Sequence, residues 1–249
     1  MTEAEWLACT DPQKMHDFLF WVKASDGLKW NEGRGQRKLR LFAVACCRRI
    51  WHLLIDKRSR EAVEVAERYA DGRATDEELE IASVAADAVW HADMKRAAKE
   101  RKWDRRSRLP YYGASAAAYN VAIPLGWWGA APAFVAPDKI AREISANRET
   151  ENLAQCALLR DIFGNPFRQS PNLSPAVYSW DDGTVRHIAE VIYEERRLPE
   201  RTLDNTRLAI LANALVEAGC TNADILTHCR QPGDHVRGCW VVDAILGKK

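Results

Sequence analysis

The sequence lacks the short motifs that mark common enzyme chemistries. It contains no Walker-type phosphate loop, no glycine-rich dinucleotide fingerprint, no His-Glu-x-x-His pattern and no nucleophile elbow. It also lacks an excess of charge, because 36 lysines and arginines stand against 35 aspartates and glutamates. A net charge of +1 gives no global attraction to nucleic acid or to an anionic membrane, so such binding would need a local patch. We therefore expect a protein that is not an enzyme.

Strand patterns and a secretory leader are also missing. No segment alternates apolar and polar residues between turn-forming residues, as a half-buried strand does. The N-terminal residues have no basic stretch followed by an apolar run, and the seven cysteines are an odd number, which argues against a disulfide framework. Apolar residues make up 47% of the 249 and charged residues 29%, an ordinary globular composition. These features predict a cytoplasmic globular protein with free thiols.

What the sequence does contain is helix signals. Thr2 with Glu5, and Thr75 with Glu78, fit capping boxes, in which two side chains bond to the free backbone N–H groups at a helix start. Residues Gln36 to Ile55 repeat apolar side chains at three- and four-residue steps. The sequence predicts an all-α fold, an irregular multi-helix domain of about eight to ten helices packed on one another.

The order of these signals predicts how the chain is organised. We expect an N-terminal helical region at 1–164, an irregular connection at 165–183 and a C-terminal helical region at 184–249, which could also form one continuous domain. Within them, one helix is expected from Asp138 to Phe163 and a last one from His235 to Leu246.

The segment Gly164-Asn165-Pro166 is expected to end the first of these helices. Phe167 would then lie in the core. Alternatively, the segment is a ligand loop in which Arg168 binds an anion.

A group of cysteines and histidines near the C-terminus is the most suggestive chemical feature. If His235 and Cys239 lie on one helix, their four-residue spacing puts them on the same face, where they could bind zinc, which favours tetrahedral nitrogen and sulfur sites. The candidate ligands are Cys220, His228, Cys229, His235 and Cys239. The alternative is that these cysteines pack in a helical core and the histidines cap helix ends. The spacing matches no standard zinc finger.

A basic run is the second candidate. It could contact phosphates of a nucleic acid, or it could be the solvated end of a helix, where cations complement the helix dipole. Its cationic residues are Lys95, Arg96, Lys99, Arg101, Lys102, Arg105, Arg106 and Arg108.

An uncharged segment from Leu109 to Pro137 is the third. It is long enough to span a membrane, but its prolines and glycines would break a spanning helix, so we expect a buried helix and an apolar loop and no membrane span. Trp127 and Trp128 in that loop could bind a protein partner. A non-catalytic interaction or adaptor function follows as one hypothesis. The others are a zinc-binding protein or metal-dependent enzyme that uses the C-terminal cysteines and histidines, and a nucleic-acid-binding protein that uses the basic run.

Several segments together resemble a family of uncharacterised planctomycete proteins. The resemblance covers most of the chain and implies a shared helical fold, but no activity is assigned to that family and no catalytic role is transferred. The segments are Arg37 to Trp51, Ala62 to Gly72, Gly164 to Arg168, Gly219 to Leu226, His228 to Arg230 and His235 to Asp243.

Overall fold

A computed structural model describes residues 1–21, 34–99, 105–123, 137, 139–143, 145, 147–168, 173–198 and 201–248. The predicted all-α class is confirmed. In this part of the chain no β-strand forms, and one isolated bridge pairs Arg197 with Thr202. Of the helices described, none has the length and hydrophobicity that a membrane span requires. The helices labelled here are α1 (Glu3–Ala8), α2 (Pro12–Trp21), α3 (Arg34–Arg49), α4 (Lys57–Ala70), α5 (Asp76–Lys99), α6 (Arg105–Ala122), α7 (Arg148–Phe163), α8 (Pro175–Ser179), α9 (Thr184–Glu194), α10 (Asn205–Glu217), α11 (Ala223–Arg230) and α12 (Trp240–Leu246).

The chain folds into two compact units, and α7 runs from one into the other. Of the described residues, the first unit comprises Met1–Cys9 and those from 157 to 248, and the second comprises those from 10 to 21 and from 34 to 156. In the second unit, α4 packs against α3, α5 and α6. In the first unit, α10 packs against α9 and α11, and α12 packs against α9. The chemistry described below lies in the first unit.

Local capping signals correctly located the predicted helix starts that they mark. The Thr2 side chain accepts a bond from Glu5 N while Glu5 accepts one from Thr2 N, and Thr75 and Glu78 exchange the same pair of bonds. These bonds join residues three positions apart, so they depend on local sequence and little on distant parts of the chain.

The helix predicted from Asp138 to Phe163 is interrupted near its start. Residues 137 and 139–143 are helical, as expected, but the helix does not continue into α7. Ser145 and Asn147 are not helical, and α7 begins at Arg148. Asn147 Oδ1 accepts a hydrogen bond from Thr150 N at 3.1 Å, which makes Asn147 the N-cap. The expected end at Phe163 is confirmed.

Gly164 ends α7 in a conformation that suits glycine for two reasons. Its φ is +66°, in the left-handed region, and a Cβ built on it would lie 3.1 Å from the Trp240 ring. Its carbonyl accepts a bond from Trp6 Nε1 at 3.2 Å, and Trp6 is fully buried. The turn after α7 is thus packed between α1 and α12 within the first unit.

Two expectations for the residues after this turn are wrong. Phe167 is 39% exposed instead of lying in the core. Arg168 is not positioned as an anion hook, since its guanidinium pairs with Glu3 Oε1 at 2.7 Å and with Asp224 Oδ2 at 2.6 Å. The connection that follows contains the short helix α8, which the sequence analysis did not predict.

The last helix begins at Trp240, five residues after the predicted start at His235. The chain from Val236 to Cys239 forms a turn in which Cys239 N donates to Val236 O at 2.9 Å and Gly238 has a φ of +95°. Backbone bonds to distant residues hold the preceding two residues out of a helix, because Leu203 N donates to His235 O and Val236 N donates to Asp161 Oδ2. His235 and Cys239 therefore do not share a helix face.

Candidate metal centre

Four buried side chains converge between three segments of the first unit. Asp161 lies near the end of α7, His228 lies on α11, and His235 and Cys239 flank the turn before α12. One carboxylate oxygen, two ring nitrogens and one sulfur lie within 4.8 Å of one another, and all four residues are buried. We call this group the Asp161 cluster.

Asp161 is the central acceptor of the cluster. Its Oδ1 lies 2.6 Å from His235 Nδ1 and 3.1 Å from His228 Nε2, and its Oδ2 accepts from Val236 N at 2.8 Å. Burial acts to raise the pKa of Asp161, but the hydrogen bonds and charges of His228 and His235 outweigh burial and lower the pKa to about 2. The carboxylate therefore stays ionised inside the protein.

His235 supplies the matching positive charge. Burial acts to lower its pKa, but the bond to Asp161 and the negative charge of Asp161 raise it above the ordinary histidine value. Its second nitrogen, Nε2, lies 3.3 Å from the carbonyl oxygen of Gln231, which can only accept a hydrogen bond. Without a metal ion, both ring nitrogens of His235 donate, and Asp161 and His235 form a buried ion pair.

His228 links the ion pair to the thiol. Its Nε2 faces both Asp161 Oδ1 and Cys239 Sγ, the latter at 3.2 Å, while its Nδ1 faces Gln231 Nε2 at 3.1 Å. Its ring contacts that of His235 edge-on at 4.8 Å between centroids and that of Trp240 at 5.2 Å. Trp240, which packs on Gly164, thus closes one side of the cluster.

Cys239 is held as a neutral thiol in the absence of metal. Burial raises its pKa well above the ordinary value, and the charge of Asp161 acts in the same direction. A thiol in this state is a poor nucleophile, because the thiolate is the reactive form. The same atom becomes a strong ligand when a divalent metal ion displaces its proton.

The donor set suits a transition metal ion, and its atoms would have to shift to reach tetrahedral spacing. Two imidazoles, a thiolate and a carboxylate suit zinc, whereas magnesium and calcium prefer oxygen ligands. Zinc bond lengths imply separations of about 3.3 to 3.6 Å between neighbouring tetrahedral ligands. The contacts of His228 at 3.1 and 3.2 Å approach these values, and the 2.6 Å contact between Asp161 and His235 would have to open by about 0.7 Å. An ionised Asp161 and a Cys239 thiolate would balance a charge of +2.

The cluster brings together three of the five ligands expected from the sequence. Cys220 and Cys229 are buried but are not members of the cluster; they belong to the apolar core of the first unit, which also includes Cys239. Burial, with the neighbouring Cys220, raises the pKa of Cys229 to about 12. Asp161 was missed, because it lies 67 residues before His228 in the chain. Its only signal was an acidic residue among the apolar residues at the end of a predicted helix.

The basic run does not lie on one helix. Lys95, Arg96 and Lys99 are exposed near the end of α5, and Arg96 lies 3.9 Å from Asp93. Arg101 and Lys102 are outside the described residues. Arg105, Arg106 and Arg108 lie in the first turn of α6, but their side chains are not among those that the structure describes.

The tryptophan pair also falls outside the described residues. Trp127 and Trp128 lie in 124–136, so the partner-binding role expected of them stays a prediction. The adjoining uncharged residues from Ala114 to Ala122 belong to α6, where most of them are buried. This agrees with the buried helix expected there.

Comparison with known proteins identifies no relative of this chain. No family model matches it, and no curated protein or solved structure is significantly similar to it. The function of the protein is therefore inferred from the Asp161 cluster itself.

Proposed function

We propose that this protein binds zinc and that the Asp161 cluster is its zinc site. The observation that carries the proposal is the convergence of four buried donor atoms within 4.8 Å from segments far apart in the chain. A cluster of buried ionisable groups costs free energy unless its members pair or hold a metal ion, and here the members are two histidines, a cysteine and an aspartate.

The arrangement favours a structural or regulatory site over a catalytic one. Catalytic zinc keeps an open position for water or substrate, whereas structural zinc is enclosed by four protein ligands. The Asp161 cluster offers four ligands, and each of the four residues is at most 7% exposed. A bound ion would join α7, α11 and the turn before α12, which are otherwise connected through packing and hydrogen bonds.

The test is metal binding by purified protein that has first been stripped with a chelator. We expect one equivalent of zinc to bind, and cobalt(II) used as a spectroscopic substitute to give the absorption of a tetrahedral site with a thiolate ligand. Cys239→Ser should remove the thiolate-to-cobalt absorption band, and His228→Ala should weaken binding strongly. Cys229→Ser is the matched control, because Cys229 is a buried cysteine of the same unit that is not a member of the Asp161 cluster.

Two results would reject the proposal. One is binding of less than about a tenth of an equivalent of zinc after dialysis, since structural zinc sites bind with free energies of about 10 kcal/mol or more. The other is loss of the thiolate band in Cys229→Ser with retention in Cys239→Ser.

A further inference from the structure

One residue contacts the outer nitrogens of both histidines in the Asp161 cluster. Gln231 is the C-cap of α11; its side-chain Nε2 lies 3.1 Å from His228 Nδ1, and its main-chain oxygen lies 3.3 Å from His235 Nε2. In each ring the nitrogen that faces Asp161 is the opposite one. Gln231 is therefore placed to influence which ring nitrogens are free to bind a metal ion.

The two contacts differ in what they allow. A main-chain carbonyl only accepts, so it keeps a proton on His235 Nε2 and leaves Nδ1 toward Asp161 in every state. A side-chain amide carries a donor at one end and an acceptor at the other. By turning over, the Gln231 amide can satisfy either form of the His228 ring.

The orientation in the structure suits the site without metal. Gln231 Nε2 donates to His228 Nδ1, which leaves the ring proton on Nε2, where it is donated to Asp161 Oδ1. Zinc bound at Nε2 requires the proton on Nδ1 instead. The amide must then present its oxygen to that N–H group. Gln231 is exposed to solvent, so its side chain has room to turn.

We propose that Gln231 is a positioning residue whose side-chain amide, by turning over, sets the tautomer of His228, so that the site can take up and release zinc with its buried polar groups satisfied in both states. This inference rests on the zinc site proposed above and adds that the site is exchangeable. A fixed acceptor at the same place would instead hold His228 in the metal-binding form.

Two substitutions of similar size separate the donor and acceptor roles. Gln231→Glu offers only acceptors and should keep a proton on His228 Nδ1 in every state, as zinc bound at Nε2 requires. Gln231→Met offers no comparable hydrogen bond. We expect zinc affinity to rise about tenfold in Gln231→Glu and to fall about tenfold in Gln231→Met, the lower end of the range seen when the partners of metal ligands are changed.

A charge control and a direct spectroscopic measurement complete the test. Thr227→Glu adds the same charge one helical turn before Gln231 at an exposed position, and it should leave zinc affinity within about twofold. Nitrogen-15 NMR of the metal-free protein should find His228 Nδ1 without a proton in the natural sequence and with a proton in Gln231→Glu. A merely structural effect would not place a proton there.

The possible failures are distinguishable. If the natural protein binds no zinc, the proposed function is wrong, while the NMR tautomers still support or refute the positioning role. If it binds zinc but the Glu and Met variants match it in affinity and tautomer, the Gln231 inference is overturned and the zinc site stands. If Thr227→Glu tightens binding as much as Gln231→Glu, charge alone explains the effect and the inference is again overturned.

Discussion

Replacement of Asp161 by asparagine should destabilise the metal-free protein by an amount that the structure allows us to estimate. The pKa of Asp161 falls from 3.8 to about 2 on folding, and each tenfold change in proton affinity corresponds to about 1.4 kcal/mol. The ionised carboxylate therefore contributes about 2 kcal/mol to the free energy of unfolding at neutral pH. The asparagine side chain would also place amide hydrogens against ring N–H groups, so we expect Asp161→Asn to cost about 2 to 4 kcal/mol.

The pH dependence of the stability difference between the natural protein and Asp161→Asn tests the same prediction independently. Since the pKa of Asp161 is lower in the folded state, its contribution is complete well above pH 3.8 and is lost as the pH falls through about 2. The difference between the natural protein and Asp161→Asn should therefore be greatest between about pH 5 and pH 6, where Asp161 is ionised and His235 is protonated, and should shrink from about pH 4 towards pH 2. An Asp161 that contributed only through its shape would give a difference independent of pH.

Urea unfolding in the presence of a chelator, followed by tryptophan fluorescence, measures the effect. Asp224→Asn is the matched control, because Asp224 also pairs with a cation in the same unit but is exposed, so its loss should be much smaller. A decrease below about 0.5 kcal/mol for Asp161→Asn, or one no larger than that of the control, would refute the reasoning.

Three further predictions concern stability. The pKa of His235 is raised in the folded protein, so its pairing with Asp161 stabilises the metal-free protein fully below pH 6.5 and progressively less as the pH rises through the folded-state pKa. Urea unfolding curves between pH 5 and pH 9 should show this decline, and His235→Gln should abolish it. Gly164→Ala should cost about 1 to 2 kcal/mol, because alanine resists a φ of +66° and its Cβ meets the Trp240 ring; an unchanged midpoint in urea would contradict the packing described. In the second unit, the buried side chain of Arg40 donates hydrogen bonds to main-chain oxygens at the end of α6. Arg40→Ala should therefore lower the free energy of unfolding by about 3 kcal/mol and speed amide hydrogen exchange in α6. Equal exchange rates in the two proteins would show that these bonds contribute little.

The sequence predicted the elements that local bonds define. The capping boxes at Thr2 and Thr75 required only residues three positions away, and both formed. The helix predicted from Asp138 to Phe163 is broken at Ser145 and Asn147, because Asn147 is the N-cap of a new helix, and apolar periodicity did not show that break. Apolar periodicity shows that a segment is helical more clearly than it shows where the helix begins.

The ligand group was only partly predictable for a related reason. The sequence marked His228, His235 and Cys239 because they lie close together near the C-terminus. It did not mark Asp161, which lies 74 residues before His235. It also included Cys229, whose place near the same residues gave no sign that its side chain would lie outside the Asp161 cluster.

By itself, the sequence determined the helical class, the positions of the caps and the supply of cysteine and histidine near the C-terminus, because these depend on neighbouring residues and on composition. Only the tertiary structure decided which side chains meet. The carboxylate of Asp161 accepts Val236 N, and Leu203 donates to the carbonyl of His235, so bonds between distant residues hold His235 outside the last helix and turn it towards the buried acid. Contacts of that kind follow from how helices pack, and no local pattern in the chain encodes them.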